Sequence, residues 1–495
     1  MIKSRVNKSN KLAFWLLVFF IVYLPPLRAQ ARVEKMPEQR LQISAQTDQE
    51  TGLKESRGFY RVYENREKQT GKILNLGLVV FHAKKTPAQP DPLFLLAGGP
   101  GVAAVETWGS IMKESPYRED RDVVLVNQRG TGDNHRLFCD MSGGDDSPQG
   151  HLESAFRLPV LRECLERLKA EYNLSQYSNP IAMDDLDEVR TALGYKKINL
   201  MGFSGGTRAA LIYIRRHPES VRTAILNGVV PLAFTNPLFH ASASQDALEN
   251  LFTECAADPS CHDAFPDLEK EFYEILDRLK KHPAKTTISH PGTGDKVQVT
   301  LERNDFAESV RMMLYRLPSN RRLPYLIHNA HRGDFAPFAQ RAVQTNRGIN
   351  KILSMGMLLC VTCAEDVDRI TEEGIVRETK GTFMGDVRVR EQQAACAIWP
   401  RSVLPDLYAS PVKSGIPVLL FSGSIDPVTP ARFADVAAKN LSNSLHLVVP
   451  GTHGVFGDCL SRIEAAFLKT GAVTNLDTGC VSDMKLPPLF VPEGE

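Results

Sequence analysis

Three residue types that acyl transfer requires occur in this 495-residue chain in a telling order. Gly202-Phe203-Ser204-Gly205-Gly206 fits G-x-S-x-G, a pattern in which a serine occupies a sharp turn between a strand and a helix. A serine hydroxyl is a weak nucleophile at neutral pH. It needs a base, a group that orients the base, and donors for the developing oxyanion. Asp426 lies in "LLFSGSIDPVTP" and His453 in "LHLVVPGTHG", each just past an apolar, strand-like run. Nucleophile, acid and histidine in that order suit a parallel sheet whose strand ends gather at one edge. Ser204 is thus the expected nucleophile, Asp426 the orienting acid and His453 the base. The loop "AGGPG", Ala97–Gly101, also follows a strand-like run, so Gly98 or Gly99 is an expected oxyanion donor. Gly205, opening the next helix, supplies the second N–H. Taken singly, each piece also reads as a tight turn or a surface loop. Their order and common placement carry the inference.

The elements that must position these residues alternate. "FYRVYE", "ILNLGLVVFHA", "DPLFLLAGGPG" and "DVVLVNQRGTG" read as strands, two of them running into glycine turns. Residues 152–171 read as one helix with Leu161, Leu165 and Leu168 on a single face, and "AMDDLDEVRTALGY" as a second, ended by Gly194. "KKINLM", the serine turn, a helix stopped at Pro218 and "VRTAILNGV" follow, an alternation that predicts a parallel α/β sheet. Residues 32–55 are polar and read as a loosely held arm. From 232 to 400 strand signals become sparse, and "IPVLLFSGS" and "SLHLVVPG" then restore them. The predicted organisation is an N-terminal leader over 1–31, a first α/β part over 32–231, a mainly helical cap inserted over 232–400, and a C-terminal α/β part over 401–495.

Composition narrows the partners. Net charge is +1, and no long basic run follows the N-terminus, so nucleic acid is not indicated. No G-K-[ST] phosphate loop or G-x-G-x-x-G is present, and Cys360-x-x-Cys363 lacks a second metal-ligand pair, so no cofactor and no metal are expected. The basic residues Lys3, Arg5, Lys8 and Lys11 precede the apolar run Leu12–Leu24 and the small-residue pattern Ala29-Gln30-Ala31. This reads as a secretory signal peptide cut near Ala31, with no stable membrane insertion afterwards and a secreted or periplasmic destination. Export makes the nine cysteines candidates for disulfides. Spacing suggests Cys255–Cys261 and Cys459–Cys480, with Cys139 and Cys164 available as a third pair. Cys360, Cys363 and Cys396 then leave one thiol over.

The stretches "LFLLAGGPG", "VVLVNQRGTG", "DDLDEVRTALGYKKINLMGFSGGTRAALIYIRRHPESVRTAILNGV", "GIPVLLFSGSIDPVTP" and "GTHGVFGDC" together resemble the secreted proline iminopeptidase and tripeptidyl aminopeptidase family. These are α/β-hydrolase serine exopeptidases with a helical cap. The resemblance spans most of 58–230 and 355–480, while 235–350 matches only in character. It implies peptide substrates cut from a free N-terminus, with Ser204, Asp426, His453, Gly98 and Gly99 in the roles given above. "CVTCAED" followed by "CAIWP" resembles the segment after the family's cap, which favours Cys363–Cys396 and a free Cys360. The family's amine-binding glutamate falls in this segment, so Glu365 is the first expected amine anchor and Asp366 the second; the plain alternative is that both cap the helix "EDVDRI". Three positions depart from the family pattern: Ala97 replaces a frequent His, Gly205 a frequent Tyr, and Asn227 the usual Asp. An ester hydrolase on the same fold is the alternative function, and a non-catalytic binding protein a more distant one. Neither the preferred N-terminal residue nor the oligomeric state is readable from the chain.

Overall fold

The computed structural model describes residues 35–49, 52–144 and 146–492. The expected signal peptide lies outside the described residues. Nine strands form one sheet: β1 (Leu41–Thr47), β2 (Lys54–Asn65), β3 (Thr70–Phe81), β4 (Gln89–Leu96), β5 (Arg121–Val126), β6 (Ile198–Phe203), β7 (Val221–Asn227), and two late strands described below. A separate hairpin, β8 (Ala284–Ser289) with β9 (Lys296–Leu301), lies within the insertion. The late strands are β10 (Val418–Gly423) and β11 (Ser444–Val449), and the sheet order is β1-β2-β3-β5-β4-β6-β7-β10-β11. Pairing is antiparallel from β1 through β3 to β5 and parallel from β5 onward. β6 and β10 are buried at every position, as strands covered by helices on both faces must be. This is the α/β architecture that the alternating pattern predicts.

Two expectations change at the edges. The stretch expected as a loose arm contains β1, which pairs with β2 in the register Leu41↔Tyr60 to Thr47↔Lys54. Leu41, Ile43 and Ala45 of β1 alternate with polar residues, but the strand is exposed along nearly its whole length and no core face claims them; the β2 backbone recruits it. The single helix expected over 152–171 is two. Pro148–Leu152 ends before an extended Glu153, and Leu158–Glu171 restarts with Pro159 in its first turn, where a missing N–H costs nothing.

The insertion has its own core. Residues from Ala241 to Val343 bury one cluster, joined by Leu152, Phe383, Met384 and Leu489. The helices Met355–Glu365 and Val387–Ile398, expected as the end of the cap, instead bury Met357, Leu359, Val361, Cys363, Ala395 and Cys396 in the sheet's main cluster. The returning chain docks on the glycine loop: Ser354 N–H donates to Gly101 O at 2.8 Å. Gly101 has φ +104°, and a Cβ there would meet Ser354 O at 2.6 Å, so only glycine admits this contact. Four disulfides close the pairs Cys139–Cys164, Cys255–Cys261, Cys363–Cys396 and Cys459–Cys480. Cys360 is a buried free thiol that accepts from Trp399 Nε1 at 3.3 Å.

Candidate active site

Ser204 sits between β6 and the helix Gly205–Arg216 with φ 52° and ψ −123°, a conformation that non-glycine residues hold only when their surroundings enforce it. The surroundings do so. Ser204 N–H donates to Asn227 O at 2.9 Å, and Thr207 holds Ser204 O through its N–H and Oγ1 at 2.9 and 2.6 Å. A Cβ at Gly202 would meet Gly206 O at 2.7 Å, and one at Gly206 would meet Leu96 O at 2.2 Å. Gly202 therefore lets the turn close against the start of its own helix, and Gly206 lets it pack against the end of β4. A Cβ at Gly98 would lie 3.1 Å from Ser204 Cβ, and one at Gly205 would lie 3.0 Å from the Gly99 carbonyl carbon. The glycine loop thus rests directly on the serine turn. Gly205 opens its helix, where an N–H has no intrahelical acceptor and can serve a developing oxyanion.

Asp426 and His453 meet at the ends of β10 and β11. His453 Nδ1 lies 2.9 Å from Asp426 Oδ2. Asp426 is 3 % exposed, and its Oδ1 also accepts the N–H groups of Val428 and Thr429 at 2.8 and 2.9 Å. Thr429 Oγ1 donates to Oδ2 at 2.8 Å. Burial alone would raise this carboxyl, but the charge and hydrogen bond of His453, with the two backbone donors, bring it below the ordinary aspartate range. A carboxylate so held fixes the imidazole with its other nitrogen free to accept a proton. The cap reaches this point too. The Tyr315 ring meets the His453 ring edge-on at 5.3 Å, and Thr452 Oγ1 donates to Tyr315 O at 2.9 Å.

Ser204, His453, Gly98, Gly99 and Gly205 line one cavity of about 670 Å³ between sheet and insertion. Asp426 stands behind His453, outside the lining. This is the arrangement expected of a nucleophile, a base and its orienting acid, with N–H groups beside the nucleophile.

The two expected amine anchors separate. Asp366 lines the cavity. Its Oδ1 accepts Arg208 at 2.7 Å and Arg369 at 3.2 Å, while its buried Oδ2 has no hydrogen-bond partner among the described residues. Glu365 does not reach the cavity. It is 1 % exposed and receives Asn179 N–H at 2.7 Å, Asn179 Nδ2 at 2.8 Å and the Tyr408 hydroxyl. Asn179 is the first residue of the helix Asn179–Ala192, so Glu365 satisfies a helix N-terminus from a distance. Its oxygens are already engaged, which removes it as a direct partner for a substrate cation.

The cavity holds residues that sequence reasoning passed over. Glu153, Glu302, Asp305 and Glu391 line one part of it. Burial, with the charges of Glu302, Glu153 and Glu391, raises the Asp305 carboxyl to about 7. His240 also lines the cavity; burial and the positive charges of Arg311, Arg388 and His453 hold its pKa well below the ordinary histidine range. Asn227 explains one departure from the family pattern. Its Nδ2 donates to Val455 O at 2.6 Å and its Oδ1 accepts Val455 N–H at 3.0 Å, clamping the histidine loop with a donor that aspartate lacks. Only its position at the end of β7 hinted at this. Among the described residues no cluster of His, Cys, Asp and Glu fits a metal ion, and no helix is long and apolar enough to cross a membrane.

Residues 91–255 match the alpha/beta hydrolase fold family, and residues 381–480 match the family described as TAP-like protein. Serine protease Hip1 of Mycobacterium tuberculosis is 28% identical over 455 residues, covering 84% of this chain and 85% of that protein. Tripeptidyl aminopeptidase of Streptomyces lividans is 26% identical over 200 residues, 37% of each chain. Proline iminopeptidase of Neisseria gonorrhoeae is 25% identical over 142 residues, 28% of this chain and 34% of that one. With its strand-end serine, aspartate and histidine under a helical insertion, the chain has the α/β-hydrolase fold, is similar to TAP-like proteins and to serine peptidases of this kind, and is a serine hydrolase.

Proposed function

We propose that this hydrolase is a serine aminopeptidase that releases residues or short peptides from the free N-terminus of a peptide. Ser204 Oγ attacks the scissile carbonyl while His453 takes its proton, and Asp426 steadies the resulting imidazolium. The N–H groups of the Gly98–Gly99 loop and of Gly205 receive the oxyanion. His453 then returns the proton to the leaving amine, and water hydrolyses the acyl-enzyme. Peptide substrates and this free-amine mode agree with the related tripeptidyl aminopeptidase and proline iminopeptidase.

The observation that carries the reading is the crowding of Glu153, Glu302, Asp305 and Glu391 in the cavity that holds Ser204. Asp305, raised by burial and by the neighbouring carboxylates, is relieved by a cation, and the substrate's ammonium is a cation at a defined distance from the bond to be cut. An N-acylated substrate offers no such charge. Asp366, at the same cavity, is the alternative anchor. Four disulfides suit an oxidising compartment, which supports export of the chain.

The test compares matched fluorogenic peptides with free and acetylated N-termini, after fluorophosphonate labelling has mapped the reactive serine. The expected result is labelling at Ser204 and a kcat/KM at least about a hundredfold higher for free amines. Equal turnover of both peptides, with simple esters cleaved faster, would make the protein an esterase. Labelling at another serine would move the site.

A further inference from the structure

We infer that Trp108, Phe203 and Phe456 form the subsite for the leaving part of the substrate and select an aromatic or large apolar residue just after the cleaved bond. The inference rests on the roles given above to Ser204 and His453. The Trp108 and Phe203 rings stack at 4.3 Å and 16°, and the Phe456 ring leans on them at 6.0 and 5.4 Å. All three line the cavity that contains Ser204. They arrive on the three segments that carry the chemistry. Phe203 precedes the serine, Phe456 follows the histidine by three residues, and Trp108 lies on the helix Ala104–Lys113 just after the glycine loop.

Their burial is graded. Phe203 is 7 % exposed, whereas Phe456 is 59 % exposed, a large ring left in water at the cavity. Two requirements of an exopeptidase place the leaving group there. Its nitrogen must come within reach of the His453 imidazole to receive a proton, so its side chain falls near the residues after His453. Its remaining length is unlimited, so it must leave toward solvent, and Phe456 marks an open side. The acyl part is directed differently: its ammonium belongs among the carboxylates Glu302 and Asp305 of the insertion. Phe203 and Trp108 pack instead on the sheet face that also buries Val455 and Leu460. Two stacked rings and a third tilted against them, with one exposed flank, suit an added aromatic ring, which gains offset and edge contacts while covering Phe456.

Acyl-enzyme partitioning reads this subsite directly. When an amine replaces water, the ester bond to Ser204 Oγ breaks, an amide bond forms to the amine nitrogen, and the amine proton passes through His453 to Ser204 Oγ. The full-length protein, turning over a free-amine peptide substrate, is offered phenylalaninamide or glycinamide as acceptor. Phenylalaninamide should capture the acyl group roughly tenfold better, and in Phe456→Ala this ratio should fall toward parity. The ratio is internal to each variant, so a general loss of activity does not imitate the effect. In parallel, Ser204→Ala protein is titrated with both amides, following tryptophan fluorescence, to which Trp108 contributes from the cavity and the buried Trp399 from outside its lining. Phenylalaninamide should shift the emission at concentrations where glycinamide does not, and Phe456→Ala in that background should abolish the difference. Equal capture and equal binding of the two amides in the unmutated platform would overturn the subsite. Failure of fluorophosphonate to label Ser204 would overturn the reading of the nucleophile instead, with the fluorescence titration still deciding the subsite.

Discussion

Replacing Gly206 by alanine puts the packing of the serine turn to a quantitative test. The new Cβ would lie 2.2 Å from Leu96 O and 2.7 Å from Ala97 O, both backbone atoms. Relief requires the end of β4 to move by roughly 1 Å, and Leu96 is the residue that β4 pairs with Gly202 of β6. Overpacking against backbone costs about 3 kcal/mol or more, and the helix propensity gained by alanine returns about 1. The net loss is at least about 2 kcal/mol. For a unit of this size the unfolding entropy is roughly 1 kcal/mol per degree, so Tm should fall by about 2 °C or more. The same movement carries the glycine loop away from Ser204, and a displacement of this order costs about a hundredfold in turnover. Gly205→Ala is the control. Its Cβ would stop 3.0 Å from the Gly99 carbonyl carbon, so a few tenths of an ångström suffice. Stability should stay within about 0.5 kcal/mol, while fluorophosphonate labelling slows by about tenfold or less. The assay is thermal unfolding together with the labelling rate of each variant. If Gly206→Ala unfolds with wild-type Tm and labels at the wild-type rate, the close approach of β4 to the turn is wrong.

Glu464 is 5 % exposed, hydrogen-bonded by the Tyr117 hydroxyl, and raised by burial to about 7. Its folded form binds a proton more tightly than its unfolded form, so the stability it contributes is complete below about pH 4.5 and is lost as pH rises through about 7. Glu464→Gln should therefore match wild type near pH 4.5 and exceed it by roughly 3 kcal/mol at pH 8, measured by denaturant midpoints; parallel curves would refute the burial argument. Asp305, also raised to about 7, gains charge across the same range. KM for free-amine peptides should fall as pH rises through about 7, until the substrate amine itself loses its proton near pH 8, and Asp305→Asn should remove the lower limb. Asn227→Asp keeps the acceptor for Val455 N–H but faces Val455 O with a carboxylate oxygen where the amide donated at 2.6 Å. It should cost about 1–3 kcal/mol of stability and lower kcat, and wild-type kinetics would show that the clamp does not position His453. Ser204→Ala and His453→Ala should each lower turnover by several orders of magnitude with unchanged circular dichroism.

Much of this protein is legible along the chain because its chemistry sits at strand ends, and strand ends announce themselves locally. Ser204, Asp426, His453 and the loop around Gly98 each follow an apolar run, so their placement on one sheet edge could be read without knowing any distance. The cysteines were readable for a related reason: three pairs lie within 25 residues of one another in sequence, and only Cys363–Cys396 needed the resemblance to a family. Other features depend on partners remote in sequence. β1 is short and exposed, and pairing with the β2 backbone makes it a strand. The helices after Leu353 look like the rest of the insertion, but their apolar faces are claimed by the sheet. Glu365 and Asp366 are neighbours with the same chemistry, yet one turns to Asn179 and Tyr408 and the other to Arg208 and the cavity. No periodicity separates two adjacent acids, because what distinguishes them is which distant donors the folded chain brings within 3 Å. The sequence by itself determined the order of the reacting groups and the turns that present them. The tertiary structure decided which carboxylates line the cavity and which are consumed in holding the fold, because burial and pairing are properties of the packed chain and not of any segment of it.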